Sequence, residues 1–429
     1  MNSDKQDIKD NSIGKSVPKS MLFNTVGALI YYVCQWFMQV VIVHISGYEK
    51  AGILSLTFTI TAAPAVIGLF NVRNYQVSDV DGEYTRAVYL RSRTITNILS
   101  FVICAVMVLA GGYSSEKAVV ILLFMLFKIS EGYADVYYGI EQRWGRLDVT
   151  GISQAVRGIL IIAAFVLTMI LTDSLALGMI AIAAVSMLVI LVYDIPFTKK
   201  LGLDREADAA LKDQKNAVWT LLRICVPLAL VGFCNTLSVH LPKIMLEYFH
   251  GSEIMGYYNS VASPTLVVQL AATTIFAPLI PPLTESFRNG RLDEFLATLK
   301  KFFLFVLALS ILCLVASKLL AKWGLELLFG ESIDPYIWLF VPVIFATIMI
   351  ALNVVLTSIC TLMRIITAQY IVGIVGIIAS ILAALICVKQ FSMIGVVYAQ
   401  IIAVGIQCIL QIILIYNKIK NRGLILQDL

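Results

Sequence analysis

Charged residues are scarce in this sequence. Asp, Glu, Lys and Arg make up 14% of its 429 residues, against about 25% in an average soluble domain. Hydrophobic residues make up 59%, above the roughly 45–50% of soluble proteins. The composition therefore excludes a soluble globular protein and predicts an integral membrane protein. Because each spanning helix takes about 20 apolar residues, little chain remains for a large catalytic domain outside the membrane.

The usual metal and nucleotide motifs are also missing. The eight cysteines form no Cys-x-x-Cys pair, and the three histidines lack the His-Glu-x-x-His spacing of a zinc protease. No Gly-x-x-x-x-Gly-Lys-Ser/Thr phosphate-binding loop occurs. These gaps predict a protein that uses no metal or other cofactor, hydrolyses no ATP and is not an enzyme.

Long apolar runs dominate the rest of the sequence and predict an all-α membrane protein. Two pairs of runs are separated only by short turns, but more than 40 apolar residues cannot cross a bilayer of ~30 Å once. Twelve transmembrane helices are therefore expected, at about 20–43, 51–72, 94–112, 118–140, 152–172, 174–196, 220–242, 253–282, 302–321, 335–361, 367–388 and 393–416.

The basic residues are distributed unevenly between the loops. With the N-terminus in the cytoplasm, 23 of the 32 Lys and Arg lie on that side, and three lie within helices. The other six are Lys50, Lys117, Lys243, Lys318, Lys322 and Lys389. This bias predicts a multi-pass protein with both termini cytoplasmic. The net charge of +5 then suits anionic membrane lipid and does not indicate nucleic acid.

A short motif occurs twice and indicates an internal repeat. Gly47–Gly52 and Gly251–Gly256 both read Gly-x-Glu-x-x-Gly and lie 204 positions apart. Each copy joins the first two helices of a predicted six-helix half. We therefore expect two six-helix bundles, residues 1–216 and 217–429, related as a parallel repeat.

The sequence resembles the Wzx-type O-antigen flippases, which form the polysaccharide-transporter branch of the multidrug/oligosaccharidyl-lipid/polysaccharide (MOP) exporter superfamily. Three features carry the resemblance. They are Asn24-Thr25-Val26-Gly27, the two glycine turns, and Arg73-Asn74-Tyr75-Gln76-Val77-Ser78-Asp79. The resemblance implies a V-shaped, MATE-like pair of bundles in the bacterial cytoplasmic membrane. It also implies transport of undecaprenyl-diphosphate-linked oligosaccharide to the outer leaflet by alternating access, alongside a polysaccharide polymerase and a chain-length regulator.

The fourth predicted helix carries three charged residues, Lys128, Glu131 and Asp135. Their i, i+3, i+7 spacing places them on one face, and charges in spans usually face a cavity or a partner. In the functional interpretation Lys128 attracts the pyrophosphate of the substrate while Glu131 or Asp135 couples transport to an ion. In the alternative, Lys128 and Glu131 only neutralise each other.

Four arginines near the cytoplasmic helix ends are further candidates for substrate binding. They either extend toward the headgroups or face the cavity, where a guanidinium suits phosphate. The candidates are Arg157 and Arg223, our preferred pair, with Arg73 and Arg364. Tyr133 and Tyr137 on the fourth helix are candidates for sugar contact, against the commoner packing interpretation.

Two other functions remain open. A cation-coupled multidrug exporter of the same fold would use Glu131 and Asp135 as its drug or ion site, but basic residues at membrane depth favour an anionic substrate. A membrane polysaccharide polymerase or ligase would be expected to have a large outer loop with catalytic polar residues, and the sequence shows none. The leading prediction is therefore a flippase for surface polysaccharide such as O-antigen or capsule.

Overall fold

A computed structural model describes residues 17–79, 83–200, 214–265, 268 and 275–427. This described part is helical and contains no strand. The α-helices are α1 Val17–Leu69, α2 Val72–Ser78, α3 Arg86–Gly111, α4 Ser115–Arg143, α5 Leu147–Thr172, α6 Leu175–Val189, α7 Ile195–Lys200, α8 Gln214–Ala262, α9 Ile280–Arg288, α10 Leu292–Phe329, α11 Phe340–Leu362 and α12 Ile366–Gln427. A π-helical turn, Ile190–Asp194, joins α6 to α7.

Eight helices within the described residues are long and apolar enough to cross a membrane. The all-α membrane fold predicted from the composition is thereby confirmed. Helix α4 is not among the eight, because Lys128, Glu131 and Asp135 interrupt its apolar character. Part of the predicted span 253–282 lies outside the described residues.

The three longest stretches measure 60, 50 and 56 residues, which at about 1.5 Å per residue is far more than one bilayer crossing needs. Each contains one α-helix that is interrupted by a residue of positive φ, at Gly47, Gly251 and Ser392. The breaks coincide with the boundaries between predicted segments at 43–51, 242–253 and 388–393. In the first stretch Phe70 and Asn71 also have positive φ, where α1 ends and α2 begins. The full count of twelve stays a prediction.

The repeated glycine motifs lie at two of these breaks. Gly47 and Gly251 have φ of 80° and 86°, which glycine adopts without the steric penalty of a Cβ atom. The last glycines of the motifs meet, because a Cβ on Gly52 would collide with Ser252 and one on Gly256 with Tyr48. Tyr48 stacks on Tyr257 with ring centroids 3.9 Å apart. The repeat seen in the sequence is therefore a pair of matching helix breaks, and the segments that follow the two breaks are in contact.

Internal contacts divide the described chain into two compact units. Unit 1 takes the residues up to Gly47 and those from Ile60 to Ala229. Unit 2 takes Tyr48–Thr59 and the residues from Leu230 onward. The predicted bundles, 1–216 and 217–429, stay a prediction. The contact grouping differs from them in placing Tyr48–Thr59 with the later residues and 217–229 with the earlier ones.

Small residues bring α1 and α5 of unit 1 close together. A Cβ on Gly27 would collide with the backbone of Gly151, and one on Gly158 would lie 2.8 Å from the Cα of Tyr31. Such close approach is typical of membrane helices, which pack through small residues because lipid tails supply no hydrophobic drive between them. It places Tyr31 of α1 beside Arg157 of α5.

Unit 2 is held together partly by side-chain hydrogen bonds between helices. Asn353 of α11 donates to Gln407 of α12 at 3.1 Å, and Ser380 of α12 donates to the carbonyl of Ser238 of α8 at 2.7 Å. In hydrocarbon, polar side chains pair with one another because lipid offers no partner. These bonds fix α8, α11 and α12 around a polar interior.

Candidate functional site

Unit 1 contains a polar cavity of about 250 Å³. Four of its helices contribute to the wall: α1, α3, α4 and α5, together with the short α2. The charged residues that line it are Arg73, Lys128, Glu131, Asp135 and Arg157, accompanied by the polar side chains of Tyr31, Tyr32, Gln35, Asn97, Tyr138 and Gln154. The wall thus combines cations, carboxylates and aromatic hydroxyls at the depth of the spanning helices.

Lys128 and Glu131 form the first ion pair of the cavity. Lys128 Nζ lies 2.6 Å from Glu131 Oε2, and it also lies 5.4 Å from the ring centroids of Phe124 and Phe127. The other carboxylate oxygen of Glu131 accepts hydrogen bonds from Tyr31 Oη and Gln35 Nε2. Glu131 therefore binds both its own helix and α1.

Asp135 joins two arginines one turn further along α4. Arg73 Nη1 lies 3.2 Å from Asp135 Oδ1, and Arg93 Nη2 lies 2.7 Å from Asp135 Oδ2. Arg93 is fully buried and also donates to the carbonyl of Gly68 at 2.6 Å. Arg73 keeps more exposure and donates to Gln142 at 2.9 Å. One carboxylate thus fixes two guanidinium groups, of which Arg73 is the more accessible.

Arg157 belongs to a third, deeply buried pair. Its Nη2 lies 2.8 Å from Asp194 Oδ2, and the two side chains are 2% and 0% exposed. Ser153 Oγ donates to the other oxygen of Asp194 at 2.5 Å, and the guanidinium lies 5.5 Å from the ring centroid of Tyr138. Asp194 sits in the π-helical turn, a deviation that often occurs at functional positions.

Together these contacts form a network in which every cation is next to a carboxylate. Pairing lowers the penalty of about 2.5–3.5 kcal/mol that an unpaired charge meets at the centre of a membrane helix. The cluster contains four cations and three carboxylates, since Arg93 and Asp194 join the five charged lining residues. An arriving anion can therefore be bound through the excess positive charge and through displacement of one of these pairs.

The structure brings five of the nine residues predicted from sequence to this cavity: Arg73, Lys128, Glu131, Asp135 and Arg157. Their roles stay predictions. Tyr133 makes a hydrogen bond of 3.1 Å with Thr94, and Tyr137 is 5% exposed in an apolar cluster. Arg223 and Arg364 are exposed and do not line the cavity.

Sequence reasoning missed Arg93, Asp194 and Tyr138. Arg93 lies just before the predicted span 94–112, and Asp194 lies near the end of the predicted span 174–196. The sequence did contain an indication for Asp194, because an acidic residue inside an apolar segment usually pairs with a cationic side chain. Among the described residues, no group of three or more His, Cys, Asp or Glu is placed to hold a metal ion.

Solved structures share this fold across nearly the whole chain. A multidrug resistance MATE family transporter of the MOP superfamily, in an inward-facing conformation, superposes with a TM-score of 0.66, 11% identity and coverage of 94% of this chain and 99% of that one. A MOP superfamily transporter from Pyrococcus furiosus, described as having a binding pocket of reverse polarity, superposes with a TM-score of 0.61 and 13% identity. The match covers 95% of this chain and 95% of that one. The fold is that of the MOP superfamily transporters.

Sequence comparison then identifies the family. The model of the polysaccharide biosynthesis protein family matches residues 72–287, half of the chain, and the chain belongs to this family. The capsular polysaccharide biosynthesis protein CapF of Staphylococcus aureus is 22% identical over 316 residues, covering 73% of this chain and 78% of CapF. The resemblance noted from the motifs is thereby confirmed.

Proposed function

We propose that this protein is a flippase that moves undecaprenyl-diphosphate-linked oligosaccharide repeat units from the cytoplasmic to the outer leaflet by alternating access. The observation that carries the proposal is the charged cavity of unit 1 in a chain that belongs to a polysaccharide biosynthesis family and has a transporter fold. The product would then be used in surface polysaccharide such as O-antigen or capsule, by a polymerase with its chain-length regulator.

The chemistry of the cavity suits the head of such a lipid. A diphosphate is an anion that would be costly to carry through hydrocarbon without neutralisation. Lys128 and Arg73 are partly exposed beside the cavity and offer an ammonium and a planar guanidinium, both good phosphate donors. The hydroxyls of Tyr32 and Tyr138 and the amides of Gln35 and Gln154 provide neutral donors and acceptors for sugars.

Transport needs a source of free energy, and no nucleotide-binding loop is present in the sequence. An inside-negative potential favours outward movement of negative charge by about 2.3 kcal/mol per charge and 100 mV. Glu131 and Asp135 are the carboxylates through which an ion could couple to the cavity, because each already binds a cationic group there.

We further propose that the protein lies in the bacterial cytoplasmic membrane with both termini inside. The distribution of Lys and Arg supports this orientation. Reporter fusions at Lys50, Lys117 and Gly330 are expected to report the outside, and a fusion at Asn289 the cytoplasm. Fusions at Gly82 and Asp208, which lie outside the described residues, are also expected to report the cytoplasm. Two or more sites on the opposite side would contradict the arrangement.

The transport proposal is tested with the purified chain in proteoliposomes that contain a fluorescent undecaprenyl-diphosphate saccharide. Flipping is measured as the fraction of label that becomes accessible to a membrane-impermeant quencher. We expect the wild-type protein to move the label several times faster than protein-free vesicles, and faster still with the potential imposed. Export of a cationic dye with no movement of the lipid-linked saccharide would instead identify a multidrug exporter.

A further inference from the structure

Unit 2 contains a second polar cavity, of about 220 Å³, built by different residues. Helix α8 supplies most of one wall, and α11 and α12 supply the others. Its polar lining includes Thr236, His240, Lys243, Asn259 and Asn353. In contrast to the cavity of unit 1, none of the described residues that line it is an Asp or Glu.

Lys243 is the cation of this cavity. The sequence places it in a loop outside the membrane, whereas the structure places it within α8, two turns before the break at Gly251. Its ammonium lies 5.9 Å from the ring centroid of Tyr258, and within the described residues it has no ion-pair or hydrogen-bond partner. Because Lys128, Arg93 and Arg157 are each paired at 2.8 Å or less, Lys243 differs in kind from the cations of unit 1.

Other polar groups around Lys243 are also unsatisfied. His240 Nδ1 and Asn353 Oδ1 are buried, and neither has a hydrogen-bond partner in the described part of the chain. Over the same residues, the side chains of Asn259 and Thr236 make no hydrogen bond either. A buried polar atom without a partner is unfavourable, so the buried atoms of His240 and Asn353 indicate that a ligand or water satisfies them. The side chains of Thr236, Asn259 and Lys243 are half-buried at the same cavity. The ammonium of Lys243 favours an anion as the ligand.

We propose that this cavity binds a carboxylate-bearing sugar of the transported saccharide, with Lys243 as counter-ion. Among the described residues that line the cavity, the single ammonium has no second cation beside it. It therefore matches the one negative charge of a sugar carboxylate better than the higher charge of a diphosphate. The amides of Asn259 and Asn353 and the hydroxyl of Thr236 are neutral groups that match sugar hydroxyls. The identity of the ligand as part of the cargo rests on the proposed transport function.

Binding is tested with the full chain in lipid nanodiscs, using D-glucuronate as the probe and D-glucose, acetate and inorganic phosphate as comparisons. We expect glucuronate to bind more tightly than all three, and Lys243→Gln to weaken its binding by roughly tenfold or more. Lys243→Arg should retain part of the affinity because it keeps the charge. Lys318→Gln is the matched control, since Lys318 is an exposed lysine in another spanning helix, and it should bind glucuronate as the wild type does.

Equal affinity for glucuronate in Lys243→Gln and the wild type would overturn the proposal, and so would tighter binding of phosphate than of glucuronate. The thermal transition of each variant, measured without ligand, shows whether the Gln variant is folded. Asn259→Ala, which keeps the charge, provides a second variant and should reduce the preference for glucuronate over acetate. The flipping assay is independent of these binding measurements. Failure to move a neutral lipid-linked saccharide would contradict the transport proposal, whereas glucuronate binding is decided by the titration alone.

Discussion

Replacement of Asp194 by Ala is expected to destabilise the protein strongly and to abolish transport. The substitution leaves Arg157, which is 2% exposed, as an unpaired charge inside a membrane helix and removes the acceptor of Ser153. Breaking one partner of a buried ion pair typically costs about 3–5 kcal/mol. The free energy of unfolding in mixed micelles measures the loss of stability, and the flipping assay measures the loss of function.

The Arg146–Asp148 pair provides a matched control. It joins an arginine and an aspartate at 2.9 Å, as the buried pair does at 2.8 Å, but its side chains are about 30% exposed. Because exposed pairs contribute roughly 0–1 kcal/mol, Asp148→Ala should change stability little. Equal effects of Asp148→Ala and Asp194→Ala would show that burial of the Arg157 pair is unimportant.

Two further variants separate charge from geometry at this pair. The double variant Arg157→Ala/Asp194→Ala removes both charges and should be more stable than Asp194→Ala, because no unpaired charge remains. Arg157→Lys keeps the charge but not the planar group that contacts Asp194 and Tyr138. It should retain partial transport if charge matters more than that geometry.

The fold was largely predictable because bilayer thickness constrains the sequence. Apolar runs have a length set by the hydrocarbon core, and the glycines at 47 and 251 mark breaks that only a flexible residue takes easily. Helix α4 was also predicted, from the apolar run at 118–140, although this run contains three charged residues. The helical spacing then predicted that Lys128, Glu131 and Asp135 share one face. All three line the cavity of unit 1.

The side chains that face the cavity and the charged groups that pair there were less predictable. They depend on how each helix is rotated about its axis, and a nearly uniform apolar sequence gives little indication of that rotation. Tyr137 was chosen as a sugar contact, yet its neighbour Tyr138 lines the cavity, about 100° further around the helix. Arg157 and Arg223 looked alike from sequence, since both lie near helix ends. Within the described part of the chain only Arg157 contacts a carboxylate, that of Asp194, 37 positions away. Lys243 was predicted to lie in a loop because it directly follows the predicted span 220–242, whereas it lies within α8.

Lys128→Ala is expected to reduce flipping sharply, because it removes an accessible ammonium from the wall of the cavity. The same substitution also leaves Glu131 without its partner at 2.6 Å, so the single variant does not by itself separate substrate binding from neutralisation. Glu131 does keep its hydrogen bonds from Tyr31 and Gln35, which should hold the carboxylate in place. Lys322→Ala, at an exposed lysine 3.3 Å from Glu326, is the control and should transport normally.

The double variant Lys128→Ala/Glu131→Ala separates the two interpretations of the pair. If Lys128 only neutralises Glu131, the single variant is inactive because it leaves the Glu131 carboxylate unpaired. Removal of both charges then restores activity, and the second substitution cancels the loss caused by the first. If Lys128 binds the diphosphate, the double variant stays as inactive as Lys128→Ala, since the ammonium is still missing. We expect the second result, measured as flipping at matched protein levels in the membrane. Near-normal flipping by the double variant would assign Lys128 to the structure of the cavity and leave Arg73 as the accessible cation beside it.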